Sequence, residues 1–192
     1  MVKLLDVSTE FKNELFNDNR DFLPFLDITL RNGKVLNLTR KDVWQNSMSI
    51  EDATSAGNTF TIGAAVTGKL TVTLNNIYDD FSEYDFSDAT VVAYVGLQLS
   101  NALEKVRVGT LVVDEPSYDG STISLTFLDN MVKFDKPYSK STLQYPATLG
   151  QILADACNCC GVSLQSANFP NNGYVVKNRP KDVALTFGGI IA

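Results

Sequence analysis

The sequence predicts a mainly β, α+β protein: an antiparallel, barrel-like first domain over residues 1–137, followed by the start of a smaller α+β domain over residues 138–192. Three observations lead there. Runs that alternate apolar and polar residues recur from residue 23 to residue 128, most cleanly at Leu70-Thr71-Val72-Thr73-Leu74. Tight-turn dipeptides, Asn32-Gly33 and Asp119-Gly120, separate neighbouring runs. After Asn130 the pattern gives way to a proline-bearing connector and one well-capped helix. Alternation with period two turns one strand face to a core and the other to water, which suits antiparallel sheets; strands of a parallel sheet are apolar on both faces. Strands at regular spacing argue for a single sandwich or barrel.

The elements follow in order. Ser8 before Phe11 and Leu15 reads as a capped short helix over Ser8–Asn17. Leu26–Leu30 and Val35–Leu38 flank Asn32-Gly33, which predicts a hairpin with a type I′ turn. Thr39-Arg40-Lys41-Asp42 has the form of a capping box with a shorter acid, opening one helical turn. Ser47–Ile50 is a candidate strand, Ala53–Asn58 a loop, and Phe60–Ile62 a further strand. Gly63-Ala64-Ala65 is a kink that demands small side chains, before the strand Lys69–Leu74. Thr90–Leu99, Val106–Val113 and Ser121–Phe127 complete the strand set, the last two joined across Asp119-Gly120. Beyond Pro137 and Pro146, Thr148-Leu149-Gly150-Gln151 is a full capping box. Leu149, Ile152, Leu153, Ala156 and Cys160 share one helical face, and Gly161 is the expected stop. Asn171-Asn172-Gly173 predicts a turn and Tyr174–Val176 a short strand. The apolar ending, Leu185 to Ala192, is what a second domain continuing past this point would leave.

Composition narrows the function. With 16 basic and 22 acidic residues the net charge is −6, which opposes binding to a phosphate backbone. Arg31, Lys34, Arg40 and Lys41 are the nearest approach to a basic patch, and a solvated hairpin and turn accounts for them. No apolar run reaches the ~18 residues of a membrane span, and the N-terminus does not read as a secretory signal. Histidine is missing altogether, which removes Ser-His and Cys-His nucleophile pairs, a histidine base and mixed Cys/His zinc sites.

Three groups of residues remain as candidates for chemistry. Cys157, Cys159 and Cys160 include a C-x-x-C spacing. They sit at the end of the predicted helix, whereas redox pairs sit at the start, where the dipole lowers the thiol pKa. The readings are packed or free thiols, zinc shared with another chain, or redox chemistry. Three clustered cysteines do not make a disulfide framework and fit synthesis in a reducing compartment. Asp79, Asp80, Glu83, Asp85 and Asp88 offer oxygens to a cation but lack the register of a calcium loop, and Phe81, Tyr84 and Phe86 among them suit a solvated loop pinned by its aromatics. Asp114, Glu115 and Asp129 are candidate glycosidase carboxylates, or exposed acids near a hairpin. No phosphate-cradling glycine loop is present, since Gly63, Gly68 and Gly188-Gly189 lack the strand-loop-helix setting. These residues name no catalytic, cofactor-binding or metal-binding site.

One resemblance goes further. Leu38–Trp44 (LTRKDVW), Ser49–Ala53 (SIEDA) and Phe60–Asn76 (FTIGAAVTGKLTVTLNN) resemble the N-terminal region of phage and prophage tail proteins of the tail-tip or baseplate-hub group. The likeness continues through Tyr84–Ala89, Val91–Leu99, Val108–Glu115, Leu128–Tyr138 and Thr148–Cys157, so it covers roughly residues 20–187. It implies a structural, non-enzymatic subunit with no cofactor, part of the virion, made in the bacterial cytoplasm. Such a subunit works by contact with tube, distal tail or tape-measure proteins and with copies of itself, a trimeric ring being the assembly the resemblance implies. Lytic activity, which some members carry further along their chains, would lie outside these residues. The alternatives are a carbohydrate-binding module with Trp44 and the tyrosines as stacking platforms, or a carboxylate-based cell-wall hydrolase.

Overall fold

The computed structural model describes residues 7–51, 67–164, 166 and 168–191. The loop, strand and kink expected over 53–65 lie outside the described residues. By packing, the chain divides into one unit built on residues 7–51 and 69–129 and another on residues from 130 onward.

In the first unit, α1 (Thr9–Glu14) begins at Ser8, whose hydroxyl accepts from the Phe11 N–H. Seven strands follow: β1 (Phe22–Thr29), β2 (Val35–Leu38), β3 (Ser49–Glu51), β4 (Lys69–Asn75), β5 (Thr90–Gln98), β6 (Leu103–Asp119) and β7 (Thr122–Leu128). They form one antiparallel sheet in the order β2-β1-β5-β6-β7-β4-β3. β4 carries the alternation that the sequence announced: Leu70, Val72 and Leu74 are buried, and the lysine and threonines between them are partly exposed.

The expected barrel is not closed; the fold is sandwich-like. β6 explains why. Its residues Leu103–Val112 pair with β5, and Val112–Asp119 pair with β7, so the strand is held on both sides at Val112 and at Val113, whose N–H also donates to the Ala89 carbonyl at 2.8 Å. Irregularities at Ala93/Tyr94 opposite Val108, and at Asp114, lie on either side of that crossing. Bulges bend a strand and increase its twist, which lets one strand pass from one layer to another. The layers are thus β2-β1-β5 with the first half of β6, and the second half of β6 with β7-β4-β3. Pro116, which has no N–H to donate, stands in the half of β6 whose other edge is unpaired.

The two ends of this sheet nearly meet. Laid flat, β2 would stand about 29 Å from the outer edge of β4, at ~4.8 Å per strand. Yet Val43 bridges Leu74 on that edge, only five residues after Leu38 leaves β2. A turn lies between them, closed by the Asp42 N–H on the Thr39 carbonyl at 3.0 Å, so the link reaches no more than about 15 Å. The sheet must therefore curl. Inside the curl one core collects Leu26, Ile28, Leu36 and Val91 from one layer, and Leu70, Val72, Ile123, Leu125 and Phe127 from the other.

Two turns differ in detail from expectation. At Asn32-Gly33 the Leu30 N–H donates to the Lys34 carbonyl at 2.9 Å, and the Gly33 N–H to the Leu30 carbonyl at 2.9 Å. With φ +85 at Gly33, this is a three-residue loop with glycine in the left-handed position, not the two-residue type I′ turn. Thr39–Asp42 stays a turn and does not become a helix: the Asp42 carboxylate accepts from the Thr39 N–H at 2.8 Å, but the next residue is already drawn onto β4.

The second unit contains 3₁₀ turns at Asn130–Asp135 and Tyr138–Lys140, β8 (Ala147–Thr148), α2 (Leu149–Cys160), β9 (Val175–Val176) and α3 (Phe187–Ile191). α2 has the predicted capping box between Thr148 and Gln151, and it ends at Gly161 with φ +67. Its buried face, Ile152, Ala156, Cys157 and Cys160, gains Cys157 over the predicted set. Phe134, Tyr138, Ala156 and Phe187 close this unit's core, with Tyr138 and Phe187 edge to face at 5.3 Å.

Gly96 is where β5 tolerates no side chain. A Cβ there would lie 2.6 Å from Cε2 of Phe25 and 3.1 Å from Cδ1 of Leu103. Gly96→Ala is expected to destabilise the first unit by about 1–3 kcal/mol, as overpacking does. In urea titrations the Phe25→Ala/Gly96→Ala pair should lose less than the sum of its single changes.

Candidate functional site

The sequence candidates separate on inspection. Cys157 and Cys160 are buried in the second core and Cys159 is half-buried. Burial pushes all three thiols up, and for Cys159 the neighbouring Asp155 adds to the effect. Each is thereby held as a thiol, the opposite of what nucleophilic or redox cysteines need. Among the described residues no three of His, Cys, Asp or Glu come together in a way that could hold a metal ion. No helix among them is long and apolar enough to cross a membrane.

The acidic segment is a pinned loop. Phe81 and Phe86 are buried in the first core, and Tyr84 packs against it. Asp85 accepts from the Ser87 N–H at 2.9 Å, and this bond with the Ser87 hydroxyl holds its carboxyl below the usual range. Asp88 pairs with Arg31 at 3.5 Å. The loop is fastened by Asn76, which the sequence reading passed over. Its side-chain amide donates to Ser82 Oγ and to the Gly120 carbonyl, and its Oδ1 accepts from the Phe81 N–H at 2.9 Å. Asn76 is only 4% exposed, so this one residue satisfies its own buried amide while tying the loop to the β6–β7 hairpin.

Of the basic residues, Arg40 pairs with Asp21 at 2.7 Å and Lys34 reaches the Tyr84 hydroxyl at 2.9 Å. Asp114 and Glu115 are exposed side by side at the β6 irregularity and Asp129 follows β7. Only Asp114 and Glu115 are strand neighbours, and nothing sets a pair of these acids apart as an acid and a nucleophile.

One concave feature of the first unit is a groove of about 450 Å³. Its floor follows from strand register. Ile28 pairs with Val91 and Leu26 with Ala93 in the core; the next pair on that face, Pro24 with Val95, lines the groove. The inner face of the sheet therefore runs on past the core and is left open. Trp44, Met48 and Ile50 form another side, carried by the segment that follows the seam. That segment is fixed to β4 by the Trp44 N–H on the Thr73 carbonyl at 2.8 Å, and by the Ser47 hydroxyl, 3.1 Å from both the Thr73 N–H and carbonyl. Phe22, Trp44 and Ile50 are 45%, 46% and 40% exposed. Trp44 is thus half-open, and the other exposed tyrosines of this unit, Tyr78 and Tyr118, do not line the groove. The groove offers apolar contact beside the Asp21–Arg40 ion pair and the polar side chains of Gln45 and Asn46, and among these residues no set of groups is arranged for proton transfer or nucleophilic attack. From this set sequence reasoning singled out Trp44, as a stacking platform, and Arg40, as part of a basic patch, because the other residues meet only through β1–β5 register and the curl.

The second unit holds a polar cluster that no motif announces. Ser141 Oγ donates to Asp155 at 2.6 Å, Arg179 donates to the Ser141 carbonyl at 2.7 Å, and the Tyr138 and Tyr145 hydroxyls lie 2.7 Å apart. Burial, then the Tyr138 hydrogen bond, pushes the Tyr145 hydroxyl well above the ordinary tyrosine range. These bonds pin the coil before α2 to the helix.

Among solved structures, the chain is similar to the crystal structure of the 43 kDa tail protein of prophage MuSo2 from Shewanella oneidensis, at 16% identity over 85% of this chain and a TM-score of 0.43. The chain spans about half, 47%, of that protein's length. No protein-family model matches the sequence, and no curated protein does.

Two measurements check this description. Asn76→Ala should cost about 2 kcal/mol or more, because it strands the buried Phe81 N–H, and should raise proteolytic cleavage between residues 77 and 88. Ellman titration of the native chain should find the buried Cys157 and Cys160 unreactive and Cys159 slow, with all three reacting after denaturation. The Cys159 rate should go on rising above pH 9, since its thiol is held protonated.

Proposed function

We propose that this chain is a structural component of a phage or prophage tail, of the tail-tip or baseplate-hub type, acting by protein–protein assembly at the distal end of the tail tube. It is not an enzyme in this reading, and needs no cofactor. The sequence resemblance supports it, and the residues that carry the resemblance form scaffold: β4, β5, the bend of β6, and the capped α2. The observation that carries most weight is β6. It is 17 residues long and, outside Val112 and Val113, is paired along only one side at a time among the described residues, so each half has an edge with no strand on it there. Edges of this kind are where a sheet accepts a neighbouring chain. Leu103, Val108 and Tyr118 expose apolar surface along it, while Glu104, Lys105, Arg107 and Pro116 limit indiscriminate pairing. Partners on this reading are tube, distal tail or tape-measure proteins and further copies of the chain.

Sedimentation velocity over a range of concentrations, alone and mixed with those tail proteins, tests the proposal. A closed oligomer, a trimer above all, or a defined mixed complex is expected. A strict monomer that binds none of them at high concentration would remove the hub assignment. Purified cell walls should show no loss of turbidity on adding the chain; clearing would move the reading to a carboxylate hydrolase.

A further inference from the structure

Beyond the groove, the inner face of the first sheet has one more row. Phe22 pairs with Leu97, and Leu97 with Glu104; Val95 pairs with Val106. Directly opposed residues share a face, so Leu97, Glu104 and Val106 continue the face whose preceding pair, Pro24 and Val95, is open. This last row is covered by α1. Phe11, 6% exposed, packs with Leu97 and Leu99, and Val7 and Val106 border the contact.

α1 has six residues, far fewer than a helix needs to persist in water without support. Its tertiary supports come from β5, β6 and the turn between them. The Ser8 N–H donates to Glu104 Oε1 at 2.9 Å and the Ser8 hydroxyl to Oε2 at 2.5 Å. That hydroxyl also caps the helix by accepting from the Phe11 N–H at 3.0 Å. The Ser100 N–H donates to Glu10 at 3.1 Å. One carboxylate therefore holds the cap, and the cap holds the helix that seats Phe11. The linker behind it, residues 15–21, is exposed throughout, with Phe16 at 86%.

We propose that α1 is a releasable strap, latched by the Glu104 carboxylate, which when open extends the groove by the apolar row Leu97, Leu99 and Val106. Among the described residues, the charged groups near the latch lie or bond elsewhere. Lys105 is turned to the opposite face, 3.7 Å over the Phe25 ring; Arg107 is engaged with Thr110; Glu10 is engaged with Ser100; and Lys12 lies in the last turn of α1. The two Ser8 bonds hold the Glu104 carboxyl below its usual range. A depressed carboxyl contributes stability that is complete above the ordinary Glu range and lost as pH falls through its folded value, so acid opens the strap. The inference stands apart from the tail reading, because it concerns only how α1 is held.

Amide hydrogen exchange on the intact chain tests it. At neutral pH, Glu104→Gln should speed exchange of the α1 amides roughly five- to ten-fold, as loss of a charge-assisted bond at an exposed site does. Phe11→Ala should open the strap with the latch intact, and neither change should alter protection in β1, β4 or β7. In the unmodified chain, α1 protection should fall in a step below the Glu range, and Glu104→Gln should lack that step. Unchanged α1 protection in either variant overturns the proposal. So does loss of strand protection in parallel with α1, or an acid step of equal size in Glu104→Gln.

Discussion

The first unit depends on one strand belonging to two layers. Among the described residues β6 is held on both sides only at Val112 and Val113, where it passes from β5 to β7. Backbone N–H and C=O groups are obligatory hydrogen-bonding groups, so a strand that changes partners midway must do so without leaving a buried stretch unpaired. The irregularities at Val108 and Asp114 meet that requirement by bending the strand on either side of the shared residue. The consequence is a single sheet that folds over itself around one core.

The curl has a second restraint at the opposite end. The four residues between Leu38 and Val43 join the first strand of the sheet to the outer edge of β4, and so short a link cannot span a flat seven-stranded sheet. The same link delivers Trp44, Met48 and Ile50 to the groove. The groove therefore follows from closure: the seam that pulls the sheet's ends together also lines the part of the inner face that the core does not fill. α1 covers the row beyond, and the three parts of that face (core, groove and strap) follow one another along the β1–β5 ladder.

Polar groups inside the first unit act as fasteners. Asn76 uses its side-chain amide and carbonyl to secure the acidic loop, and Ser47 stands in for a strand partner at Thr73. In the second unit Ser141, Asp155 and Arg179 do the same for the coil before α2. The thiols on α2 face that unit's core and are held protonated. Polar side chains in both units thus hold coil to regular structure.

The strand periodicity, the β6–β7 hairpin, the Ser8 cap and the whole of α2 from capping box to Gly161 were legible in the sequence. Each is set by residues within a few positions of one another: alternation decides which side of a strand is apolar, and caps satisfy helix ends locally. The aromatic anchoring of the acidic loop could be read for the same reason. The type of the Asn32-Gly33 turn could not, because glycine accepts either geometry and the Leu30–Lys34 pairing selects one. Nor could the open, sandwich-like form, since alternation is the same in a barrel and in a curled sheet, and only pairing decides which strands share an edge. The groove and the strap were likewise out of reach. Pro24 and Val95, or Ser8 and Glu104, are separated by scores of residues with no shared motif, and strand register alone brings them together. Local chemistry, in short, settled what each segment is; long-range pairing settled where the sheet bends, which of its faces stays open, and what covers the rest.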